Sequence, residues 1–387
     1  MNTIPVVRDT DNMNVNDIIE KYKHRTLINS KYVFEKKIGS GSFGSVFRGK
    51  NIISEDKVAI KFEATIVEFP TLLWESKILN HLSGIPGVVK LRYFGTEANK
   101  NIIVMDLYSH TLCEEVERLK TSKKALLEES SKESENDSPK NDSPKRETNT
   151  SSDKVEIIRE EYEGKEYKED NHNHDDDKVD SVKSEEEKED HIESNDESMP
   201  QYTKEITEYL ISMLQIIHRV HDAGVVHRDI KPENFMFSIE TKKDGTMEKK
   251  LNIIDFGLSR FYMKGDKHVT NTYNKTIVGT LRYISKNVHN GEVYSRRDDI
   301  ISIMYVVIYL LKGKLCWSGM VAKNDDKRTK EELVYDKKIK TTSQELCAGL
   351  PHLYQKLIDY AYKLEFEEKP DYLYMIRQCK NLLKVIQ

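Results

Sequence analysis

The alternation of apolar and polar side chains predicts a small sheet in the first part of the chain. Residues 31–38 and 45–49 alternate with a period of two, which is typical of half-buried strands. Residues 57–61 form a short apolar strand pattern that ends on a lysine, and residues 88–94 and 102–107 have the pattern of two further strands. We therefore expect one sheet of five strands.

Apolar side chains at intervals of three and four residues predict helices farther along. Residues 71–82 show this spacing within the sheet region, and residues 202–220 show it over a longer stretch that Gly224 can terminate. Residues 300–311 form a 12-residue apolar run with a single serine. A bilayer span needs about 20 residues, so we interpret this run as a buried core helix. Residues 251–254 predict a short buried strand.

The periodic pattern stops between residues 119 and 200. Residues 121–200 hold only 12 aliphatic, aromatic or methionine side chains. Such a stretch cannot bury enough apolar area to offset its chain entropy, so we expect 119–200 to be an acidic, disordered insert. It divides the chain into an N-terminal extension (1–30), a first folded part (31–118) and a second folded part (201–387).

Two interpretations of this insert remain open. It is either a tolerated, solvated insertion or a regulatory segment. Its tandem repeat Asn-Asp-Ser-Pro-Lys places Ser138 and Ser143 before prolines, a context that suits proline-directed kinases. On the regulatory hypothesis, deletion of residues 121–199 changes activity or partner binding.

The net charge of −5 conceals an uneven distribution. Residues 121–200 carry 13 Lys and Arg against 27 Asp and Glu, whereas the rest of the chain carries 48 against 39. A basic body favours anionic partners such as acidic or phosphorylated proteins, although the same excess also serves ordinary solubility. No motif of basic and aromatic residues indicates nucleic-acid binding, and we expect no nucleic-acid partner.

The cysteines and the chain ends indicate the compartment. The four cysteines are far apart, and no pair has the spacing of zinc ligands, so we expect neither structural zinc nor disulfides. The N-terminus lacks the apolar core of a signal peptide, and the C-terminus lacks a prenylation box. We expect a soluble monomer of the cytoplasm or nucleus, without a membrane anchor.

A glycine pattern lies between the first two predicted strands. Gly39, Gly41 and Gly44 form G-x-G-x-x-G. The dinucleotide-binding version of this pattern leads from a strand into a helix. Here a second strand pattern follows, so we favour a flap whose backbone amides close over phosphate groups.

Lys61 ends the predicted strand 57–61, where a buried ammonium is costly unless it meets an anion. The candidate anions are the phosphates of a nucleotide and a carboxylate. Glu75, on the predicted helix 71–82, is the expected ion-pair partner. A solvated glutamate on a helix surface is the alternative.

A second set of polar side chains follows the long predicted helix. Asp229, Lys231 and Asn234 lie within one octet, His-Arg-Asp-Ile-Lys-Pro-Glu-Asn, so a compact turn can aim them at one point. A carboxylate there can take a proton from a hydroxyl, a lysine can balance phosphate charge, and an amide oxygen can bind a hard cation. Asp255 ends the next predicted strand before a glycine turn and offers a second oxygen for Mg²⁺.

These motifs resemble those of protein kinases in kind and in order: the glycine loop, Val-Ala-Ile-Lys, the helix glutamate, His-Arg-Asp and Asp-Phe-Gly. Beyond Gly257 the chain lacks Ala-Pro-Glu, and it has Gly-Thr-Leu-Arg-Tyr from residue 279 and Ser-Arg-Arg-Asp-Asp from residue 295. These segments are similar to those of the casein kinase 1 family. The resemblance covers residues 31–120 and 200–385. It implies an α+β, bilobal protein kinase fold, with an antiparallel sheet and one major helix in the first lobe and a mostly helical second lobe.

The resemblance implies a serine/threonine protein kinase that uses ATP and Mg²⁺. In that role Asp229 is the catalytic base, Lys231 contacts the γ-phosphate, and Asn234 and Asp255 ligate the metal. Lys61, held by Glu75, binds the other phosphates. The residues implied to line the nucleotide pocket are Ile38, Gly39, Ser40, Gly41, Ser42, Phe43, Gly44, Val46, Ala59, Lys61, Met105, Asp106 and Leu107.

Relatives in this family favour acidic or already phosphorylated protein substrates through a basic anion site. Arg282 matches the arginine of that site, and Lys327 and Arg328 are its expected companions. The resemblance also implies that Asp299 braces the catalytic loop and that His227 is a packing residue. The alternative function is a pseudokinase-type scaffold that binds partners through the acidic insert. A small-molecule kinase of similar architecture is a weaker alternative, because such enzymes lack this set of motifs.

Overall fold

The computed structural model describes residues 31–41, 44–66, 70–122, 199–273, 276–321 and 328–386. The chain divides into two units, one made of Met1–Ala125 with Glu197–Gln387 and the other of Leu126–Asp196. All described residues belong to the first unit. The predictions for the N-terminal extension, for Ser138 and Ser143, for residues 123–198 of the insert, and for Ser42, Phe43 and Lys327 lie outside the described residues.

Five antiparallel strands form the first sheet, and they lie in the order β1-β2-β3-β5-β4. Their bounds are β1 (Tyr32–Gly41), β2 (Gly44–Asn51), β3 (Lys57–Ala64), β4 (Leu91–Glu97) and β5 (Lys100–Asp106). Helix α1 (Thr71–His81) packs against β3, β4 and β5. Because side chains alternate across a sheet, Ala59 and Ile103 join the main core, whereas Val58, Ile60 and Val104 form a separate small cluster.

The second part of the chain is mostly helical. Its helices are α2 (112–122), α3 (Met199–Asp222), α4 (Lys286–His289), α5 (Arg296–Lys312), α6 (Lys330–Lys340), α7 (Ser343–Leu346), α8 (His352–Lys363) and α9 (Tyr372–Val385). Short strands complete it: β6 (His110–Thr111), β7 (Val225–Val226), β8 (Phe235–Thr241), β9 (Met247–Ile253), β10 (Arg260–Phe261), β11 (Met263–Lys264) and β12 (Lys267–His268). The sheet with one major helix and the helical second part confirm the predicted α+β, two-lobed architecture.

Helix α5 is the centre of the helical part, as the apolar run at 300–311 predicted. It is buried on nearly all sides, and α3 and α8 pack against it. At its start the Asp298 carboxylate accepts the backbone N–H of Ser295 at 2.8 Å, and Gly313 ends it with a φ of 75°. Among the helices that the structure describes, none is both long and apolar enough to cross a membrane.

Regular structure continues past residue 118, the predicted end of the first folded part. Helix α2 continues to residue 122. Residues 117–121 keep helical contacts, because Lys120 pairs with Glu117 at 2.9 Å and the Thr121 hydroxyl donates to the Glu117 carbonyl at 2.8 Å. The composition of 121–200 therefore marks where apolar periodicity stops, whereas the described helical structure extends to residue 122.

Strand β4 begins later than the predicted residue 88. Val88 forms a parallel bridge with Ile253 of β9, and the Val89 N–H donates to the Ile253 carbonyl at 3.1 Å. The residues before Leu91 thus pair with the second part of the chain. A tertiary contact decides this boundary, and periodicity along the chain does not reveal it.

Candidate active site

Strands β1 and β2 form a hairpin whose tip carries the glycine pattern. Gly39 lies opposite Val46, and Gly41 lies opposite Gly44. Gly44 has a φ of 122°, and a Cβ at this position would lie 2.0 Å from the Phe62 carbonyl oxygen, so a side chain has no room there. A strand, not a helix, follows the glycines. This is the arrangement expected of a flap over phosphate groups.

A cavity of about 690 Å³ lies beneath this hairpin. Its volume is within the range of pockets that hold cofactors. The predicted nucleotide-binding residues that line it are Ile38, Gly39, Gly44, Val46, Ala59, Lys61, Met105, Asp106 and Leu107. Ser40 and Gly41 belong to β1, whereas Ser42 and Phe43 lie outside the described residues.

Two apolar residues of this cavity were not identified from the sequence. Met236 and Ile254 line it together with the predicted residues. Met236 follows Asn234 by two positions, and Ile254 directly precedes Asp255. Their positions close to predicted metal ligands could have identified them, because residues close together on one extended segment can border the same pocket.

The ammonium of Lys61 lies between two carboxylates. Its Nζ is 2.8 Å from Glu75 Oε2 and 2.9 Å from Asp255 Oδ1. Glu75 is fully buried, and its other oxygen accepts the Phe256 N–H at 3.2 Å. Burial alone would lower the pKa of Lys61, but the two carboxylates raise it above its ordinary value. Lys61 is therefore held as a cation in the cleft.

The strand that carries Lys61 also holds the beginning of helix α1. One carboxylate oxygen of Glu63 accepts the Thr71 N–H at 2.8 Å, and the other accepts the Leu72 N–H at 3.1 Å. Pro70, at the N-cap position, makes no side-chain cap. Glu63 thus supplies the missing acceptors and a negative charge at the helix N-terminus. Two residues of β3 therefore contact the helix that carries Glu75.

Asp229 is buried and accepts four hydrogen bonds. Its Oδ2 accepts from Lys231 Nζ at 2.6 Å and from Asn234 Nδ2 at 3.2 Å. Its Oδ1 accepts from the Thr280 hydroxyl at 2.7 Å and from the Thr280 N–H at 3.1 Å. The fold thus brings the acid, the lysine and the amide of the octet into direct contact and adds Thr280, which the sequence analysis did not single out.

Asn234 and Asp255 offer oxygen atoms to a hard cation. Asn234 also donates through Nδ2 to the Asp229 carbonyl at 2.9 Å, and this orientation leaves its Oδ1 for a metal ion. Burial alone would raise the pKa of Asp255, but Lys61 holds it below its ordinary value, so Asp255 is a carboxylate. The cavity volume, the flap, the cation of Lys61 and these two oxygens match the groups that ATP with Mg²⁺ requires.

The loop that carries Asp229 is held in an unusual backbone conformation. Arg228 has a φ of 73°, in the left-handed region that few non-glycine residues adopt. Asp299 holds this turn, because its Oδ1 accepts the Arg228 N–H at 3.0 Å and its Oδ2 accepts the His227 N–H at 2.7 Å. The His227 ring packs edge-on against Phe256, with ring centroids 4.9 Å apart. Asp299 thus braces the loop, and the His227 ring, besides this packing, hydrogen-bonds the Ile254 carbonyl at 3.0 Å and accepts the Asp229 N–H at 3.3 Å.

The predicted anion-site residues have different surroundings. Arg282 is exposed, with its guanidinium 5.0 Å from the ring centroid of Tyr309 and 5.8 Å from that of Tyr283. Arg328 pairs with Asp336 at 2.8 Å. Lys327 lies outside the described residues.

The similarities of the chain to known proteins agree with this arrangement. The protein kinase domain family matches residues 32–134 and 179–379. Casein kinase I homolog 2 of Schizosaccharomyces pombe is 28% identical over 361 residues, which cover 93% of this chain. The chain spans 64% of the length of that relative. These similarities confirm the resemblance predicted from the motifs: the chain belongs to the protein kinase family, and within that family it resembles casein kinase 1.

Proposed function

We propose that this chain is a serine/threonine protein kinase that transfers the γ-phosphoryl group of ATP to hydroxyl groups of protein substrates. The observation that carries the proposal is the contact of Asp229 with Lys231 and Asn234 at a cleft that also holds the Lys61–Asp255 pair. Membership of the protein kinase family supports it.

Each residue of the cleft has a place in this reaction. When bound, ATP with Mg²⁺ supplies the transferable phosphoryl group and neutralises part of its charge. Lys61 binds phosphate oxygens, and Asn234 and Asp255 would hold the metal. Asp229 orients the substrate hydroxyl and accepts its proton. Lys231, which is 2.6 Å from Asp229, balances the negative charge at the point of transfer.

We also propose that the substrates are acidic or already phosphorylated. Arg282 is exposed two positions after Thr280, which contacts Asp229, so an anion bound by Arg282 would lie near the reacting hydroxyl. A guanidinium is well suited to carboxylate and phosphate groups. The excess of basic residues outside 121–200 favours the same substrates.

An assay with purified protein, ATP, Mg²⁺ and a serine peptide tests the reaction. We expect Asp229→Asn to lower kcat by about 10³-fold while ATP still binds, because general-base contributions are of this size. Asp244→Asn, in the exposed turn between β8 and β9, removes an aspartate that does not line the cleft and should leave kcat unchanged. Nucleotide binding without transfer in the wild type would favour the scaffold alternative.

Matched peptides test the substrate preference. Arg282→Ala should raise KM for a phosphorylated peptide about tenfold, equivalent to about 1.4 kcal/mol, and leave KM for a neutral peptide unchanged. Arg377→Ala, on exposed α9 surface, is the control for loss of one positive charge. Equal KM values for both peptides in the wild type would contradict this preference.

A further inference from the structure

Residues 279–285, here named the 279–285 segment, join the catalytic loop to the proposed substrate contact. Thr280 donates twice to Asp229. Gly279 has a φ of 104°, and a Cβ there would lie 2.5 Å from the Arg228 carbonyl oxygen, so the segment packs directly on the catalytic loop. Arg282 is exposed in the middle of the segment. The position of this segment therefore affects both the proposed base and substrate recognition.

The segment is a single helical turn whose carbonyl groups face side-chain donors. The N–H groups of Tyr283 and Ile284 both donate to the Thr280 carbonyl, at 2.8 and 3.1 Å. At the end of such a turn, carbonyl groups have no partner within the turn itself. The carbonyls of Leu281, Arg282 and Ile284 are in this position, and the stability of the turn depends on donors from elsewhere.

Two side chains from later in the chain supply those donors. Lys338 of α6 donates to the carbonyls of Leu281 and Ile284, at 2.8 and 2.7 Å. Trp317 donates through Nε1 to the Arg282 carbonyl at 2.8 Å. The Lys338 ammonium is also 5.3 Å from the centroid of the Trp317 ring, so the two side chains form one contact surface.

Lys338 is an unusual lysine because it is buried and, among the residues that the structure describes, has no carboxylate beside it. Its exposed fraction is 3%. Within the described ranges, no carboxylate lies at ion-pair distance from its Nζ, and the carbonyls and the faces of Trp317 and Tyr305 take the place of one. Burial lowers its pKa to about 7. Burial of this ammonium costs free energy, so we infer that its hydrogen-bond donors serve a purpose at this position.

We propose that Lys338, together with Trp317, is a positioning residue for phosphoryl transfer: it fixes the 279–285 segment, and thereby places Thr280 against Asp229 and Arg282 toward the substrate. This inference rests on the proposed kinase function. It concerns residues that touch neither nucleotide nor substrate, and it assigns to helix α6 a role in substrate binding.

Two variants and one matched control test the proposal by kinetics. Lys338→Met keeps the apolar stem and removes the donors, and we expect kcat/KM for a peptide substrate to fall about tenfold while the Kd for ATP changes less than about twofold. Trp317→Phe removes one donor and keeps an aromatic ring, and it should shift the same parameter in the same direction. Lys337→Met removes a neighbouring lysine that contacts Glu345 at 3.6 Å, and it should have wild-type kinetics.

The conservative variant separates positioning from general damage to the fold. Lys338→Arg retains a cation with several N–H donors, and it should recover most of the peptide kcat/KM that Lys338→Met loses. A folded Lys338→Met protein with wild-type peptide kinetics would overturn the proposal. So would equal losses of ATP affinity and of peptide kcat/KM. If Lys338→Met does not fold, the decision rests on Trp317→Phe, and unchanged peptide kinetics in that variant would overturn the proposal.

A second measurement keeps this inference distinct from the proposed function. Amide hydrogen exchange over residues 279–285 requires no activity, and it should be faster in Lys338→Met and Trp317→Phe than in the wild type and in Lys337→Met. If the wild type shows no phosphoryl transfer but exchange is faster in both variants, Lys338 and Trp317 hold the 279–285 segment and the kinase assignment fails. If the wild type transfers phosphate but exchange is unchanged in both variants, the kinase assignment stands and this inference fails.

Discussion

Two buried lysines of this chain have opposite pKa shifts, because their surroundings differ. Lys61 lies between Glu75 and Asp255, and these carboxylates raise its pKa despite burial. Lys338 has two carbonyl groups and two aromatic rings around it, and burial lowers its pKa to about 7. A carbonyl dipole balances less charge than a carboxylate does. The first lysine is thus held as a cation in the cleft, and the second donates hydrogen bonds to backbone carbonyl groups.

We predict that another single residue, His289, makes the protein sensitive to acid. Burial, with a further contribution from Lys338, lowers the pKa of His289 to about 4 from an ordinary value of 6.5, against an opposing effect of Glu331. Between these values the unfolded chain binds a proton that the folded chain does not. The free energy of unfolding should therefore fall as the pH decreases from 6.5 to 4, and the histidine should have no such effect above pH 6.5.

Denaturant titrations at several pH values measure this effect. In His289→Phe the free energy of unfolding should decrease less between pH 6.5 and pH 4 than in the wild type. His352→Phe, at an exposed position on α8, should keep the wild-type slope. Parallel curves for the wild type and His289→Phe would contradict the prediction.

At the scale of elements, strand β3 and helix α1 act as one unit. Lys61 contacts the helix through Glu75, and Glu63, on the same strand, binds the first two N–H groups of the helix. A helix N-terminus whose N-cap residue makes no side-chain bond depends on such an external acceptor. The strand thus sets both the start of the helix and the position of the glutamate that meets Lys61.

We predict that Glu63→Gln both destabilises the start of α1 and weakens the binding of ATP. The variant loses the charge at the helix N-terminus and one of two acceptor oxygens, so the free energy of unfolding should fall by about 1 kcal/mol. KM for ATP should rise, because Glu75 is less firmly placed against Lys61. Thermal unfolding and ATP-dependent kinetics measure the two effects.

The control for this prediction is Glu55→Gln. Glu55 is an exposed residue between β2 and β3, and its side chain pairs with Lys50 at 2.9 Å. Its substitution should leave KM for ATP unchanged, since exposed ion pairs contribute little. An unchanged KM for ATP in Glu63→Gln would show that α1 keeps its position without this cap.

At the scale of the whole molecule, one folded unit is assembled from two separate parts of the sequence. The main core contains residues from both sides of the insert, such as Leu112, Leu210 and Ile300. Buried Glu115, before the insert, hydrogen-bonds His110 at 2.7 Å and accepts from Tyr209, after it, at 3.4 Å. Contacts of this kind join the flanks of the insert directly.

We therefore predict that residues 126–196 can be replaced by a flexible linker of about 10 residues without loss of the fold. The thermal midpoint should stay within about 2 °C of the wild type, and the Kd for ATP should be unchanged. Differential scanning calorimetry and ATP titration measure these values. A change of kcat at constant stability would support the regulatory interpretation of the insert, and a large loss of stability would contradict the prediction.

The strands, the helices and the chemical type of the site could be predicted from the sequence because they depend on local order. Periodicity within a segment decides whether it buries one face as a strand or as a helix. Lys61, Asp229, Asn234 and Asp255 were identifiable because each belongs to a short motif. The start of β4 was predicted three residues early, because the pairing of Val88 with Ile253 is not local.

The amino-acid sequence was enough to predict the main strands and helices and to identify the side chains that we propose take part in phosphoryl transfer. The tertiary structure decided which groups meet. Thr280 and Asp229 are 51 positions apart, and Lys338 and Leu281 are 57 apart, so no motif or period connects them. Their contacts exist because Tyr309 of α5 and Lys338 of α6 lie against the 279–285 segment. Long-range hydrogen bonds of this kind depend on the position of whole elements, which the packing of the core alone sets.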